Sequence, residues 1–356
     1  MTPFDYVRPA TVQAAVAAAS EPGAVYLAAG TNLLDLMKGG VSRPNRLVDV
    51  SHLPGLDRIE DLADGGVRVG ALVRNADLAR DRNFVQRFPA VAEALLSGAS
   101  GQLRNAATVG GNLLQRTRCA YFYDTASACN KRVPGAGCDA HHDAPHGDNR
   151  LHAILGWSES CIATHPSDFC VPLVALDAVV EVEGKAGPRE IPLEDFHRLP
   201  GDTPQRESEL EPGEMIVALR LPAAAAKFAA HARYLKVRDR TSYEFAVVSA
   251  AAALRVEDGV IAQARLALGG VALKPWRARE AEAILNGGSA DAALFQRAAD
   301  AALAAAKPSG DNGFKIELAR RTVKRALTLA AAGTPARMPA LPASPFAAVS
   351  GDVIHA

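Results

Sequence analysis

The chain lacks any surplus of charge: 39 Lys and Arg face 39 Asp and Glu over 356 residues. That balance argues against nucleic acid as a partner, because a polyanion is met by clustered basic groups. It also leaves little long-range repulsion against assembly with other chains. Long apolar runs are missing too. The stretch Leu176-Asp177-Ala178-Val179-Val180 is short and carries a charge, and nothing approaches the roughly 18–20 apolar residues that span a bilayer. Direct membrane insertion is therefore not expected. Residues 1–9 are polar, broken by Pro3 and Pro9, and show no basic stretch followed by an apolar core. The expectation is a cytoplasmic chain, or a periplasmic one if it is exported together with a signal-bearing partner. There is no GxGxxG fingerprint of the dinucleotide-binding folds and no CxxC pair of a zinc ribbon or ferredoxin. His165 with Ser167 is too weak a pairing to indicate hydrolysis.

What is present is a large apolar fraction, 49%, enough for two or three domains with real cores. Periodicity and breakers predict a helix at 12–19, a strand at 25–28, a helix at 33–38 stopped by Gly39-Gly40, and strands at 46–50 and 66–72. Helices follow at 77–80 and 90–97, then a glycine-rich turn at 106–112. Later strands are predicted at 179–182, 215–219, 232–237 and 262–268, and helices at 277–285, 292–306 and 317–332. The apolar segment 244–254 reads equally as helix or strand, and 221–228 as a connection between domains. The tail from Thr334 is rich in Pro and Ala and reads as extended. Between Leu114 and Ala163 periodicity disappears. A loop of about 50 residues inside a compact domain needs something to organise it.

All five cysteines, Cys119, Cys129, Cys138, Cys161 and Cys170, fall within 52 residues. Such clustering suits a metal or iron–sulfur site better than a disulfide scaffold. Four thiolates hold either a tetrahedral zinc or an iron–sulfur cluster, and these spacings choose neither between them nor against free thiols. Cys119, Cys129, Cys138 and Cys161 are the expected ligands; Cys170 opens an apolar run and reads as packed core. His141, His142 and His146 read as ligands of zinc or, less often, iron, or more simply as a solvated loop. Lys131 and Arg132 read as charges offsetting thiolates or as a solvated face. Two turns add to this. Ala28-Ala29-Gly30-Thr31-Asn32-Leu33-Leu34 runs from strand through a turn into a helix start, where unpaired N–H groups can meet phosphate oxygens. Thr108-Val109-Gly110-Gly111-Asn112 can form an anion nest or lie under a flat ring. In Thr164-His165-Pro166-Ser167-Asp168, Ser167 and Asp168 can cap a helix starting near Phe169, and Asp168 can instead accept from a ribose hydroxyl or a flavin ring nitrogen. Ordinary turns and caps explain each of these segments taken alone.

Taken together, the segments 28–38, 97–119, 129–138, 155–176 and 236–250 resemble the FAD-binding subunits of the xanthine dehydrogenase and molybdenum hydroxylase family. The resemblance is greatest to the FAD subunit of the bacterial aldehyde oxidoreductase type, which also carries a [4Fe-4S] cluster. It implies an α+β fold with two α/β subdomains, 1–55 and 56–222, forming a PCMH-type FAD-binding domain with an iron–sulfur insertion at about 115–163. A C-terminal α+β domain of the CO dehydrogenase flavoprotein type follows at 223–333, with a three-stranded antiparallel sheet and helices, and then an extended tail at 334–356. The resemblance further implies that Ala28, Ala29, Gly30, Thr31, Asn32, Leu33 and Leu34 wrap the FAD diphosphate. It places Thr108, Gly110, Gly111 and Asn112 against FAD, Asp168 in contact with the cofactor, and Lys236 near the flavin. The insertion, flanked by Gln115-Arg116-Thr117-Arg118-Cys119 and Glu159-Ser160-Cys161-Ile162-Ala163-Thr164, marks the aldehyde oxidoreductase type. Cys170 departs from that type, which has a small apolar residue there.

The resemblance also implies a division of labour. A large partner subunit holds a molybdenum cofactor and converts an aldehyde to a carboxylic acid, a small partner holds two [2Fe-2S] clusters, and this chain passes their electrons through FAD to an external acceptor. Three other readings stand beside it: the same kind of subunit in a xanthine dehydrogenase-like enzyme acting on an N-heterocycle, an independent flavin oxidase or dehydrogenase, and a non-catalytic zinc-stabilised assembly protein.

Overall fold

A computed structural model describes residues 1–141 and 149–336; His142, His146 and the tail beyond 336 lie outside the described residues. The chain opens with β1 (Asp5–Val7), α1 (Val12–Ala19), β2 (Ala24–Leu27), α2 (Leu33–Lys38) and β3 (Arg46–Asp49). Their strands form a parallel sheet of order β1-β3-β2. The Thr11 hydroxyl accepts from the Ala14 N–H at 3.1 Å and starts α1; Ala15, Val16 and Ala19 bury its inner face with Val48 and Val50. After β2 the chain turns through Gly30 at φ +73°, a left-handed conformation that glycine takes without strain. It enters α2 at the carboxyl edge of the parallel strands, where open α/β sheets hold ligands.

The second unit contains β4 (Ile59–Asp61), β5 (Val67–Gly70), α3 (Asn75–Leu78), α4 (Arg82–Arg87), α5 (Pro89–Ser97), α6 (Gly101–Ala106), α7 (Val109–Leu113) and α8 (Ala120–Tyr123). It continues through α9 (Cys170–Ala175), β6 (Val179–Gly184), β7 (Gly187–Pro192), α10 (Leu193–Phe196) and β8 (Met215–Leu221). The five strands pair antiparallel in the order β4-β5-β8-β6-β7. The turn expected at 106–112 is instead the end of α6, a two-residue break at 107–108 and most of α7. Thr108 caps α7, its hydroxyl accepting from the Gly111 N–H at 3.4 Å. A Cβ on Gly110 would meet the Ala71 methyl at 3.0 Å and its carbonyl oxygen at 3.2 Å. Gly110 therefore serves close approach of α7 to the end of β5, although glycine disfavours helix on its own.

The third unit follows a 3-10 segment at Ala223–His231. It comprises β9 (Ala232–Val237), β10 (Val248–Glu257), β11 (Val260–Gly269), β12 (Trp276–Arg277), α11 (Arg279–Leu285), α12 (Ala292–Ala302) and α13 (Phe314–Ala331). Its antiparallel sheet has order β12-β11-β10-β9, four strands where three were expected, the fourth being only two residues long. The ambiguous segment 244–254 is largely β10. Val248, Ala250, Ala252 and Leu254 pack with Val323, Ala326 and Leu327 of α13, while Ala251 and Ala253 join the core of the second unit. A strand buried on both faces shows no polar alternation, which is why periodicity could not separate it from helix. Because side chains alternate along β9, Tyr234 and Lys236 share the face that docks onto α5 and α9.

The insertion between α7 and α9 contains α8 and is otherwise irregular over its described residues. Polar side chains organise much of it. The Arg132 guanidinium donates to the carbonyls of Tyr121 and Phe122 at 2.8 and 2.9 Å and also to that of Ser127. Asn130 donates to the Ser160 carbonyl at 3.0 Å and accepts from the Gly137 N–H at 2.8 Å. The Asp139 carboxylate accepts from the Ala128 N–H at 2.7 Å. Among the described residues no helix is long and apolar enough to cross a membrane.

Candidate functional site

The segments that the resemblance assigns to FAD are joined by a chain of hydrogen bonds. The Asn32 Oδ1 atom at the start of α2 accepts from the Arg116 N–H at 2.9 Å, which ties the Gly30 turn to the segment after α7. Gln115 Nε2 donates to Asn112 Oδ1 at 2.5 Å, and Ser167 Oγ donates to the same atom at 2.8 Å. Ser167 also caps α9, accepting from the Cys170 N–H at 3.3 Å, so the cap expected near Phe169 belongs to Ser167. Asp168 faces the third unit: Tyr234 donates its hydroxyl to Oδ1 at 2.5 Å and Lys236 its ammonium to Oδ2 at 2.7 Å. Both side chains of the Lys236–Asp168 pair are nearly buried, 4% and 8% exposed. Burial first, and Asp168 second, push the Tyr234 phenol well above its ordinary value, so it donates.

Two features suit this cradle to a bound polar cofactor. Asn32 Nδ2 is buried without a partner, and a buried amide donor left unpaired costs about 1–3 kcal/mol. A cleft beside Asp168 is lined by Arg118, Thr164, His165, Phe245 and Ser249, with the Arg118 guanidinium 4.8 Å from the Phe245 ring centre. Sequence reasoning missed Tyr234, Arg116 and Phe245. Tyr234 had a usable signal, lying two residues before Lys236 in a predicted strand.

The four expected ligands Cys119, Cys129, Cys138 and Cys161 line one cavity in the insertion. Cys129 and Cys138 face each other across an antiparallel bridge. Backbone N–H groups point at the sulfurs: Tyr121 and Phe122 at Cys119, Ala140, His141 and Ile162 at Cys138, and Ala163 at Cys161. Burial pushes the Cys119 thiol up to about 12 and Cys161 to about 11, and raises Cys138. A metal binding there has to displace those protons. No three of the four sulfurs lie within 4.8 Å of one another, whereas a tetrahedral zinc with bonds near 2.3 Å needs sulfurs about 3.8 Å apart.

His141 is tied to the Ser309 carbonyl at 3.2 Å and to Glu159 at 2.7 Å. Arg132, read as a possible counter-charge, is engaged by carbonyls instead. Lys131 is buried against Glu207 at 2.8 Å, and Glu207 also binds Arg116 at 3.0 Å. Burial works against the Glu207 carboxylate, but Lys131 and Arg116 overcome it and hold its pKa below the usual range. Neither Glu207 nor His152, whose Nε2 lies 3.2 Å from Cys119 Sγ, carried a motif that would have marked it.

Cys170 is fully buried in the main core. One atom each from His165, Cys170 and His197 lie within 4.8 Å of one another. One nitrogen of each ring has a partner, His197 Nε2 at the Leu113 carbonyl at 2.8 Å and His165 Nδ1 accepting from the Ser167 N–H at 3.4 Å, while His165 Nε2 and His197 Nδ1 are buried without one. Cys170→Ala is expected to leave iron content unchanged and to cost about 1–2 kcal/mol through the cavity it leaves. Metal analysis and a denaturant melt check this; loss of iron would make Cys170 a ligand.

Residues 2–224 match the family described as FAD binding domain in molybdopterin dehydrogenase. The chain belongs to this family. Residues 233–330 match the CO dehydrogenase flavoprotein C-terminal domain. As a molybdopterin dehydrogenase FAD-binding subunit, the chain has the α+β architecture of paired FAD-binding subdomains followed by an α+β C-terminal domain. It is 51% identical to the aldehyde oxidoreductase FAD-binding subunit PaoB of Escherichia coli K12, over 93% of this chain and 99% of that one. Among solved structures it is similar to a chain of carbon monoxide dehydrogenase from Hydrogenophaga pseudoflava, with a TM-score of 0.71 and 29% identity, covering 93% of this chain and 98% of the other. A chain of quinoline 2-oxidoreductase from Pseudomonas putida 86 aligns with a TM-score of 0.70 and 25% identity over the same shares.

Proposed function

We propose that this chain is the FAD-binding electron-transfer subunit of a molybdenum-dependent aldehyde oxidoreductase. The observation that carries the reading is the 51% identity to PaoB across nearly the whole of both chains. In this reading a large subunit with the molybdenum cofactor oxidises the aldehyde, and a small subunit with two [2Fe-2S] clusters delivers the electrons in a heterotrimer. Bound FAD supplies a carrier that takes electrons singly and releases them in pairs to an external acceptor.

The residues of this chain bind and orient. The 28–34 turn, including Ala28, Ala29, Gly30, Thr31, Asn32, Leu33 and Leu34, offers N–H groups to the diphosphate. Thr108, Gly110, Gly111 and Asn112 support the cofactor from α7, with Asn112 held by Ser167. Asp168 and Lys236 bring opposite charges to the cofactor from facing units. No side chain here has to act as acid or base toward the aldehyde. Cys119, Cys129, Cys138 and Cys161 hold a [4Fe-4S] cluster, a reading supported by their shared cavity and by the N–H groups directed at their sulfurs. The compartment is the cytoplasm, or the periplasm if a partner carries the export signal.

Metal analysis and an absorption spectrum of anaerobically purified protein test this. The expected result is a flavin spectrum over broad iron–sulfur absorption, with about four irons per chain. One zinc and no flavin overturns it in favour of an assembly protein, and aldehyde oxidation by the isolated chain without molybdenum overturns it in favour of an independent flavoenzyme. A second reading, the same subunit serving an N-heterocycle hydroxylase, draws on the quinoline 2-oxidoreductase likeness at 25% identity; turnover of aldehydes against N-heterocycles by the assembled complex separates the two.

A further inference from the structure

Lys131 lines the same cavity as the four cysteines, and its side chain is only 1% exposed. Its ammonium is held by Glu207 at 2.8 Å and by the Pro204 carbonyl at 2.8 Å. Glu207 is shared with Arg116, so the three side chains together carry one net positive charge. A buried ammonium is costly to keep, and this one is kept beside the four cysteines. At Cys119 a second contact reaches the sulfur: His152, 6% exposed, places Nε2 3.2 Å from Sγ. Its backbone is anchored, the His152 carbonyl accepting from Lys315 at 2.8 Å and from Asn312 at 3.1 Å.

We propose that Lys131 and His152 raise the reduction potential of the group bound by the four cysteines. The inference rests on the [4Fe-4S] reading above. One electron adds one negative charge to a centre already surrounded by four thiolates. A nearby cation, and an imidazole N–H donated to a ligand sulfur, stabilise that reduced form more than the oxidised one. Arg132 does not share the role, because it does not line the cysteine cavity and its guanidinium is turned to the Tyr121 and Phe122 carbonyls.

The test is a mediated redox titration of the full chain, purified anaerobically and followed by the electron paramagnetic resonance signal of the reduced cluster. Lys131→Met and His152→Leu are each expected to retain iron. Each should shift the oxidised-to-reduced ratio at fixed ambient potential at least tenfold toward oxidised, which is about 59 mV for one electron. Lys131→Arg should keep the wild-type ratio. Loss of iron from Lys131→Met but not from Lys131→Arg makes Lys131 a requirement for holding the group and overturns its role in setting the potential. Retained iron with unchanged ratios in Lys131→Met and His152→Leu overturns the proposal, as does identical behaviour of the Met and Arg variants. A wild-type chain without iron overturns the cluster reading itself rather than the tuning.

Discussion

Cys119→Ser should strip most of the iron while leaving much of the flavin bound. Cys119 packs with residues from three separate small clusters in the insertion, and His152 and the N–H groups of Tyr121 and Phe122 converge on its sulfur. Losing a group that merely orients a ligand costs 10–100-fold in metal affinity; losing the ligand should cost more, and iron should fall at least tenfold. The flavin cradle is tied by Asn32 to the Arg116 backbone and by Ser167 to Asn112, contacts that do not pass through the Cys119 side chain. Ile154 and Leu155 anchor the end of the insertion in the core of the third unit, but its described residues 119–141 bury few apolar side chains besides Phe122, Ala140 and the cysteines, so without its metal that part should open locally and become protease-sensitive. Iron, flavin and limited proteolysis measured on one preparation decide this. Unchanged iron would show that the ligand set is wrong, and joint loss of iron and flavin would show that cradle and insertion fold as a single unit.

Asp168→Ala should be the most damaging change in the cradle. It leaves the nearly buried ammonium of Lys236 and the buried hydroxyl of Tyr234 without their shared acceptor. Removing one partner of a buried ion pair typically costs about 3–5 kcal/mol, so a denaturant midpoint should fall sharply and flavin occupancy with it. The double replacement Asp168→Asn with Lys236→Met removes both charges. It should recover most of the stability, because coupled buried partners are not additive, but not the flavin, since the cofactor loses both groups. Full flavin and unchanged stability in Asp168→Ala would refute a role for this pair in joining the units and holding the cofactor.

Capping and amphipathic signals made much of the fold legible. The alanine-rich run at 12–19 marked α1, Gly39-Gly40 ended α2, and the amphipathic pattern of 317–332 announced α13. Helix α7 was not legible, because Gly110 and Gly111 read as a turn and only contact with Ala71 shows why Gly110 sits in a helix. The short strands β1 and β4 were also missed. Each is three residues long and carries no periodicity to detect. The fourth strand of the third sheet is shorter still.

By itself the sequence determined the class of chemistry. Five clustered cysteines, two glycine-containing segments and an acidic residue before an apolar run are local features with ordinary explanations when taken singly, and it was the resemblance of their combination to the FAD-binding subunits of the molybdenum hydroxylase family that pointed to a flavin. Only the tertiary structure decided which residues act together. Asp168 meets Lys236 and Tyr234 because β9 alternates its side chains and the third sheet docks one face on the second unit. Lys131 and Glu207 lie far apart in sequence and pair because burying one charge demands another beside it. Such pairings depend on where chain segments cross, and residue spacing does not encode that.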